Sequence, residues 1–260
     1  INESAEQIST VLKKHTESSA SQGPLDTDIT HKAYELIEGN FDSMNGGFGT
    51  YPKFPQPMIL EFLLRHYDSN RSSHTKSLDM VDVTLDHMAK GGIYDQIGGG
   101  FHRYSTDSSW LIPHFEKMLY DNALISNLYI HAYQITGNDE YKIIATETLD
   151  YVIREMMDKN GGFYSAQDAD SEGSEGKYFI WTSDELQNLL NKDQYDVMQR
   201  YFSIQESGYF EGANILNRGD NVSEISDALQ IGKEYLYDIV EQSKDILMSA
   251  REDRVAPQTD

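Results

Sequence analysis

The sequence predicts an all-α fold, built from helical hairpins that repeat along the chain. Apolar residues recur at the spacing of an amphipathic helix in successive segments from residue 28 onward. The connections between these segments alternate between long and short. Three long connections contain Gly-Gly-Phe, at residues 46–48, 99–101 and 161–163, and a fourth contains a looser Gly-Tyr-Phe-Glu-Gly at 208–212. Self-similarity of this kind indicates a repeat of one supersecondary unit.

The alternation of the connections predicts where the unusual residues collect. In antiparallel helices, successive connections fall at opposite ends, so all four long loops should share one rim. Repeated helical hairpins favour a curved array or a closed α/α toroid, with the unusual residues concentrated on that rim. The alternative is an irregular all-α domain in which the glycines only cap helices.

The individual helices follow from apolar periodicity and from end signals. Leu78, Val81, Leu85 and Met88 share one face, and Thr182 has the capping-box spacing from a glutamate three residues later. A small β-hairpin is predicted between residues 163–167 and 177–181. The predicted helices span residues 28–38, 57–66, 76–90, 114–136 and 140–157, then two short helices on either side of a break at 191–193, and finally 233–251.

Composition limits the classes of function. The chain of 260 residues has 21 basic and 43 acidic side chains, a formal net charge of −22. Such a chain repels phosphate backbones and anionic lipid, so nucleic-acid and membrane partners are not expected. The absence of cysteine excludes disulfides, thiolate metal sites and a cysteine nucleophile. It is compatible with a cytoplasmic location, and no cofactor or metal is predicted.

Four segments carry a specific resemblance to a known family. They read YPKFP (51–55), GGGFHRYSTDSSWLIPHFEKMLYDNA (98–123), GGFYSAQDADSEGSEGKYFIWT (161–182) and YFEGANIL (209–216). From about residue 28 to the end, the chain resembles the thioredoxin-domain-containing family that includes the spermatogenesis-associated thioredoxin-like proteins.

The resemblance implies a six-hairpin, glycosidase-like (α/α)6 toroid, the architecture of several glycosidases and of N-acylglucosamine 2-epimerase. It also implies an N-terminal thioredoxin-like domain as a partner, for which this chain has no Cys-x-x-Cys motif. Residues 1–26 are then expected to be a polar linker or tail from that domain, and residues 27–260 an incomplete toroid domain. The likeness to sugar enzymes is an analogy of fold.

The segment 91–121 combines glycines with the residue types that move protons. His114 and Glu116 follow a proline and are predicted at the start of the helix 114–136, open to the rim as acid–base groups. The alternative is structural: Glu116 in the first turn would complement the helix dipole, and Lys117 could pair with Asp121.

The preceding His-Arg-Tyr is expected to be extended, so that His102 and Tyr104 point one way and Arg103 the other. Either His102 or Arg103 should face the ligand. Arginine suits a carboxylate, which could belong to a ligand or to an aspartate across the loops. The second case would make Arg103 part of a structural clamp.

The acidic loop 168–175 has three interpretations. Asp168, Asp170 and Glu172 are spaced like the start of a calcium loop, but the twelfth position is Phe179 instead of glutamate. Asp168 and Asp170 could instead be carboxylates of glycoside chemistry, or the loop could be a solvated turn. We expect Arg103 or His114 to contact Asp168 or Asp170, because a cation relieves the repulsion among clustered carboxylates.

The first functional hypothesis is a carbohydrate-active module, glycosidase- or epimerase-like, acting on a small polar ligand at the rim. The second is a non-catalytic domain that binds a ligand or partner beside the thioredoxin-like domain. Loop aromatics could stack on sugar faces, although most aromatics belong to cores. The candidate catalytic residues are His114, Glu116, Asp168 and Asp170, and the candidate ligand-binding residues are His102, Arg103, Tyr104, Trp110, Asp121, Tyr164, Glu211 and Asn214.

Overall fold

A computed structural model describes residues 5–6, 8–10, 13, 28–219 and 221–260. The chain divides into two compact units, Ile1–Glu35 and Leu36–Asp260. The expected polar tail at residues 1–26 lies outside the described residues, apart from a few helical positions between 5 and 13. The site described below belongs entirely to the second unit.

The secondary structure is mainly helical, which confirms the all-α class. One π-helical turn, Val152–Met156, continues α5. No helix within the described ranges combines the length and the apolar character that crossing a bilayer requires. The described helices are α1 (Ile29–Glu38), α2 (Pro57–Ser69), α3 (Thr75–Lys90), α4 (Leu119–Thr136), α5 (Asp139–Tyr151), α6 (Ser183–Leu189), α7 (Lys192–Tyr201), α8 (Val222–Leu229) and α9 (Lys233–Glu252).

The helices of the second unit pack as consecutive hairpins. Helix α2 packs on α3, α4 on α5, α6 on α7 and α8 on α9. Helices two apart in sequence also touch, since α2 packs on α4 and α7 on α9. Contact with both the next helix and the one after it is the packing of stacked α/α hairpins, and the unit is a partial α/α toroid.

Side-chain caps explain where several helices begin. The Asn138 side chain accepts from the Glu140 amide at the start of α5, and Gly137 ends α4 with a φ of 72°. The predicted capping box of Thr182 with Glu185 is present at α6. Asn221 and Glu224 form another at α8, a helix that apolar periodicity alone did not identify.

Short antiparallel strands in the connections correct two expectations. β1 (Tyr104–Ser105) pairs with β2 (Pro113–His114), and β3 (Lys117–Met118) pairs with β4 (Ala166–Gln167). Helix α4 therefore begins at Leu119 instead of residue 114, because backbone pairing with distant segments holds residues 113–118 extended.

The small β-hairpin lies at other residues than predicted. It joins β5 (Asp170–Ser171) to β6 (Ser174–Glu175). Its two-residue turn, Glu172 and Gly173, has φ values of 52° and 77°, as a tight hairpin turn with the twist of its strands requires. The segment 163–167 instead contributes β4, which pairs with β3.

The four long connections touch one another in sequence order. Lys53 of the first pairs with Ser105 of the second, and Trp181 of the third pairs with Asn214 of the fourth. Pairing of β3 with β4 joins the second connection to the third. These contacts agree with the expectation that the long loops share one rim.

Candidate functional site

Five charged side chains meet on the second and third long loops, and we call them the rim cluster. They are Arg103, His114, Glu116, Asp121 and Glu175. Next to β1, the Arg103 amide donates to the Glu116 carbonyl at 2.8 Å. The same two residues form an ion pair, with Arg103 Nη1 2.8 Å from Glu116 Oε2. The strand pairing therefore places the guanidinium on the carboxylate.

His114 lies between two carboxylates. Its Nδ1 is 2.7 Å from Glu175 Oε1 and its Nε2 is 3.6 Å from Glu116 Oε2. Glu175 also accepts from the Phe115 amide at 3.2 Å. The imidazole is thus oriented by the β5–β6 hairpin and has its second nitrogen near the Arg103–Glu116 pair.

Asp121 is the least solvated member of the rim cluster. It lies in the first turn of α4 with 8 % of its surface exposed, and its Oδ2 has no hydrogen-bond partner among the described residues. Burial raises the pKa of the Asp121 carboxyl to about 6, and nearby Glu116 acts in the same direction against Tyr120 and Arg103. Arg103 Nε is also buried without a partner. Two buried polar atoms without a partner in one cluster are unusual in a folded protein.

Aromatic rings adjoin the rim cluster. The Tyr104 ring stacks on the His114 ring with centroids 5.1 Å apart, and Phe54 packs on Tyr104 at 4.8 Å. Phe54 and Tyr120 are 40 % and 51 % exposed. Exposed aromatic faces beside polar side chains can pack against the apolar face of a ligand that also needs hydrogen bonds.

The arrangement provides the elements of acid–base chemistry. One carboxylate, Glu116, is ion-paired, whereas the other, Asp121, keeps its proton to a higher pH than an ordinary aspartate. Two titratable groups whose environments differ in this way can serve as base and acid in one site. The cluster reaches solvent, because Glu116 and His114 are 23 % and 27 % exposed.

Three of the candidate ligand-binding residues are core residues. His102 is buried, and its Nδ1 lies 2.8 Å from the Phe115 carbonyl oxygen, to which it donates. Trp110 is fully buried and donates from Nε1 to the Asn45 carbonyl. Asn214 is buried and its side chain binds the backbone of Gln205. Each of these side chains forms hydrogen bonds with the backbone of a loop. That structural role explains why a polar residue is needed there, without a ligand.

Of the remaining candidates, Asp170 adjoins the rim cluster and the other three lie apart from it. Tyr164 donates to Asp158, and Glu211 lines a separate cavity of about 470 Å³. The Asp168 amide donates to the Gln258 carbonyl, and Asp170 pairs with Glu175 across β5 and β6.

The expected contact between the two loops exists, but through other carboxylates. His114 contacts Glu175, and both His114 and Arg103 approach Glu116, whereas neither has a direct contact with Asp168 or Asp170. The reason is the β5–β6 register, which brings the end of the acidic loop, and not its beginning, to β2.

Sequence reasoning missed a second charged cluster, which is fully buried. Asp95 binds Lys117 and Arg251 at 2.8 Å each. Lys117 was expected to pair at the surface with Asp121. The sequence offered one signal, a lysine within the apolar run FEKML, but its partners are distant in sequence. Within the described part of the chain, no group of three or more potential ligand side chains is arranged to hold a metal ion.

The fold and the rim cluster together define a protein of stacked α/α hairpins with a solvent-reaching charged cluster on its loop rim. The chain is similar to spermatogenesis-associated protein 20 of Rattus norvegicus, with 35 % identity over 252 residues, 88 % of this chain and 32 % of that protein. The Homo sapiens protein of that name is 40 % identical over 199 residues, 72 % of this chain and 25 % of that protein. The chain thus spans about a third or less of the length of these relatives.

An uncharacterized protein of Caenorhabditis elegans is 34 % identical over 260 residues, 90 % of this chain and 36 % of that protein. No protein-family model matches the chain. The relatives named above agree with the family resemblance that the four sequence segments indicated.

Among solved structures, a sugar epimerase from a ruminal bacterium matches with a TM-score of 0.47 and 15 % identity, over 81 % of this chain and 50 % of that one. Cellobiose 2-epimerase from Bacillus thermoamylovorans matches with a TM-score of 0.48 and 10 % identity, over 84 % of this chain and 66 % of that one. At these scores and identities, the likeness carries no conclusion about chemistry.

Proposed function

We propose that the rim cluster is an acid–base site that acts on a small polyhydroxylated ligand of the sugar class. The observation that carries this proposal is Asp121, a buried carboxyl with a free oxygen and a pKa of about 6, beside the Arg103–Glu116 ion pair. A structural carboxylate at this position would be expected to have its oxygens satisfied.

The roles follow from the surroundings of each group. Asp121 supplies a proton, because burial disfavours its charged form. Glu116 accepts a proton, and its ion pair with Arg103 orients it. His114 positions the cluster, because its Nδ1 hydrogen-bonds to Glu175 and its Nε2 lies 3.6 Å from Glu116. Proton transfer by positioned side chains of this kind contributes about 10²–10⁴-fold to a rate.

The sugar class follows from the mixture of donors and rings. Arg103 Nε and Asp121 Oδ2 are a buried donor and acceptor without partners, and the more exposed His114 and Glu116 present polar atoms to hydroxyl groups. The rings of Phe54 and Tyr104 pack against each other next to these atoms. A polyhydroxylated ring has both the hydroxyls and the apolar C–H face that such a site accommodates.

A second candidate function is non-catalytic binding at the same cluster, in support of a thioredoxin-like domain of the longer protein. One observation favours it: three successive contacts join Arg103 to Glu116, Glu116 to His114, and His114 to Glu175. A binding surface requires no more than such a fixed array of donors and acceptors.

The test mixes the full-length protein with each member of a panel of neutral monosaccharides and disaccharides. NMR measures both the binding of the sugar and the formation of product. We expect saturable binding and slow conversion of at least one sugar, with conversion abolished and binding retained in Glu116→Gln. The matched control is Glu172→Gln, which changes an exposed carboxylate of the neighbouring hairpin. Binding without conversion selects the second function, and no binding of any sugar overturns the sugar class.

A further inference from the structure

A cavity of about 470 Å³ lies between α5 and α9, among residues that the proposed acid–base site does not use. Its walls come from both helices, from the end of α3 and α7, and from the second and fourth long loops. It shares no residue with the rim cluster. The lining residues that carry the inference are Tyr94, Glu140, Ile143, Glu147, Arg218 and Lys244.

Three ion pairs lie in the wall of this cavity. Lys244 Nζ is 2.9 Å from Glu147 Oε1 and 3.6 Å from Glu241 Oε1. Arg218 Nη1 contacts Glu140 Oε1. The buried Tyr94 hydroxyl donates to Glu147. Burial raises the pKa of Tyr94 well above its usual range, so it stays a proton donor. The Tyr94 hydroxyl therefore fixes the position of the Glu147 carboxylate in the wall.

The loop that carries Arg218 is tied down on both sides. The Arg218 amide donates to the Lys90 carbonyl at 2.7 Å, and the Gly219 amide donates to the Tyr201 carbonyl at 2.8 Å. Backbone hydrogen bonds thus hold both Arg218 and the following residue, Gly219, in place. Glu140 engages Nη1, and the forked guanidinium has further N–H donors for a ligand.

The charges in the cavity wall balance. Lys90, Arg218 and Lys244 face the cavity together with three glutamates, Glu140, Glu147 and Glu241. A polyanion such as a phosphate ester would be repelled by the three carboxylates, and a polyamine would be repelled by the three cations. The wall favours a ligand that carries one charge of each sign.

The remaining wall is apolar and mixes aliphatic with aromatic side chains. Ile143, Val222 and Val240 line it together with Phe202 and three tyrosine rings. Such a wall surrounds a hydrocarbon side chain well, whether that side chain is aliphatic or aromatic. The cavity volume lies within the range of about 300–1,000 Å³ that small-molecule sites occupy.

We propose that this cavity binds an α-amino acid with an apolar side chain, in its zwitterionic form. The carboxylate of the amino acid binds the remaining N–H donors of Arg218, the ammonium binds Glu140, and the side chain packs against the apolar wall. The ligand inserts into an existing ion pair, so neither charge is left uncompensated. The inference is independent of the acid–base site on the rim.

The test is isothermal titration of the full-length protein with L-leucine and L-phenylalanine. Matched probes are their N-acetyl derivatives, their amides, and glucose. We expect saturable binding of the zwitterions and at least tenfold weaker binding of each probe that lacks one charge. Equal binding of the derivatives, preferential binding of glucose, or no saturable binding of either amino acid overturns the proposal.

Two variants locate the binding. Ile143 lines the cavity and is 53 % exposed, so Ile143→Trp fills the cavity without disturbing the core. Leu149→Trp is the matched control, since Leu149 is on the same helix, 40 % exposed and outside the cavity lining. We expect Ile143→Trp to abolish binding and Leu149→Trp and Glu116→Gln to retain it. Unchanged binding in Ile143→Trp contradicts the assigned site.

Discussion

Asp95 and Arg251 are 156 positions apart in the sequence and form a buried ion pair, in which Arg251 Nη1 lies 2.8 Å from Asp95 Oδ1 and 3.0 Å from Oδ2. Lys117 Nζ binds the same carboxylate at Oδ2 and also donates to the Gly99 carbonyl. Burial opposes the charge on Asp95, but Arg251 and Lys117 outweigh it and hold the pKa of its carboxyl well below the usual range. One carboxylate thus connects α9 to the loop that bears the rim cluster.

Replacing this carboxylate should destabilise the protein strongly. Asp95→Asn leaves two cations buried without a counter-charge, and we expect a loss of about 3–5 kcal/mol in the free energy of unfolding. Glu172→Gln is the control, because it removes the exposed pair with Lys177, where we expect a loss of at most about 1 kcal/mol. Urea unfolding of both variants measures the difference. Similar small losses in both would show that the buried cluster does not stabilise the fold.

His102 should make the fold sensitive to acid. Burial, reinforced by Lys117, lowers the pKa of its imidazole from 6.5 to about 3. Between these values the unfolded chain binds the proton and the folded chain does not, so stability is complete above pH 6.5 and falls as the pH decreases toward 3. The expected slope is about 1.4 kcal/mol per pH unit. Unfolding measured across this range should give a difference curve between wild type and His102→Gln with that slope, and a flat difference curve contradicts the assignment.

Local patterns predicted the helices well and long-range pairings poorly. The periodicity of Leu78, Val81 and Leu85 located α3 to within one residue of its start. The same kind of pattern placed Phe115 and Met118 in a helix, but β3 pairs with β4 some fifty residues later and holds that segment extended. Periodicity reports the environment of a residue within its own element, whereas strand pairing between loops depends on the assembled fold.

Asp121 should have the opposite pH dependence from His102. Its carboxyl has a pKa raised to about 6 by burial, above the value near 3.9 of an unfolded aspartate. Its protonated form stabilises the fold below pH 4, and that contribution is lost as the pH rises through 6. Asp121→Asn should therefore be more stable than wild type above pH 6. Unfolding curves at pH 4 and pH 7 test this, and a variant less stable than wild type at pH 7 would contradict the raised pKa.

Two glycines with the same backbone conformation separate strain from packing. Gly100 and Gly49 have φ values of 79° and 78°. Alanine at either position would therefore adopt a left-handed backbone conformation, which costs about 1–2 kcal/mol. A Cβ on Gly100 would lie 2.5 Å from the Tyr151 ring, whereas a Cβ on Gly49 would meet nothing within 4 Å. We expect Gly100→Ala to lose about 1–3 kcal/mol more than Gly49→Ala in thermal or urea unfolding. Equal losses would mean that the Gly-Gly-Phe motif reflects turn geometry alone.

The rim cluster was predictable in its residue types and not in its pairings. The mixture of histidine, arginine and carboxylates in one glycine-bearing segment indicated His114, Glu116 and Arg103. Glu175 belongs to a segment that read only as an acidic loop, and its contact with His114 depends on the β5–β6 register. A two-residue turn sets that register, so one residue of slip would have exchanged the side chains that face β2.

The Arg103–Glu116 pair should contribute little to stability, which makes it a clean probe of function. The side chains of Arg103 and Glu116 are 40 % and 23 % exposed, so solvent screens their attraction. We expect Arg103→Ala and Glu116→Gln each to change the free energy of unfolding by about 1 kcal/mol or less, with a similar limit on their coupling in the double variant. The structural-clamp interpretation of Arg103 requires strongly coupled losses instead. A double-mutant cycle by urea unfolding measures the coupling, with sugar conversion followed by NMR on the same four proteins. Coupled loss of conversion with uncoupled, small losses of stability supports a functional pair, and a coupling of about 3 kcal/mol in stability would make the pair structural.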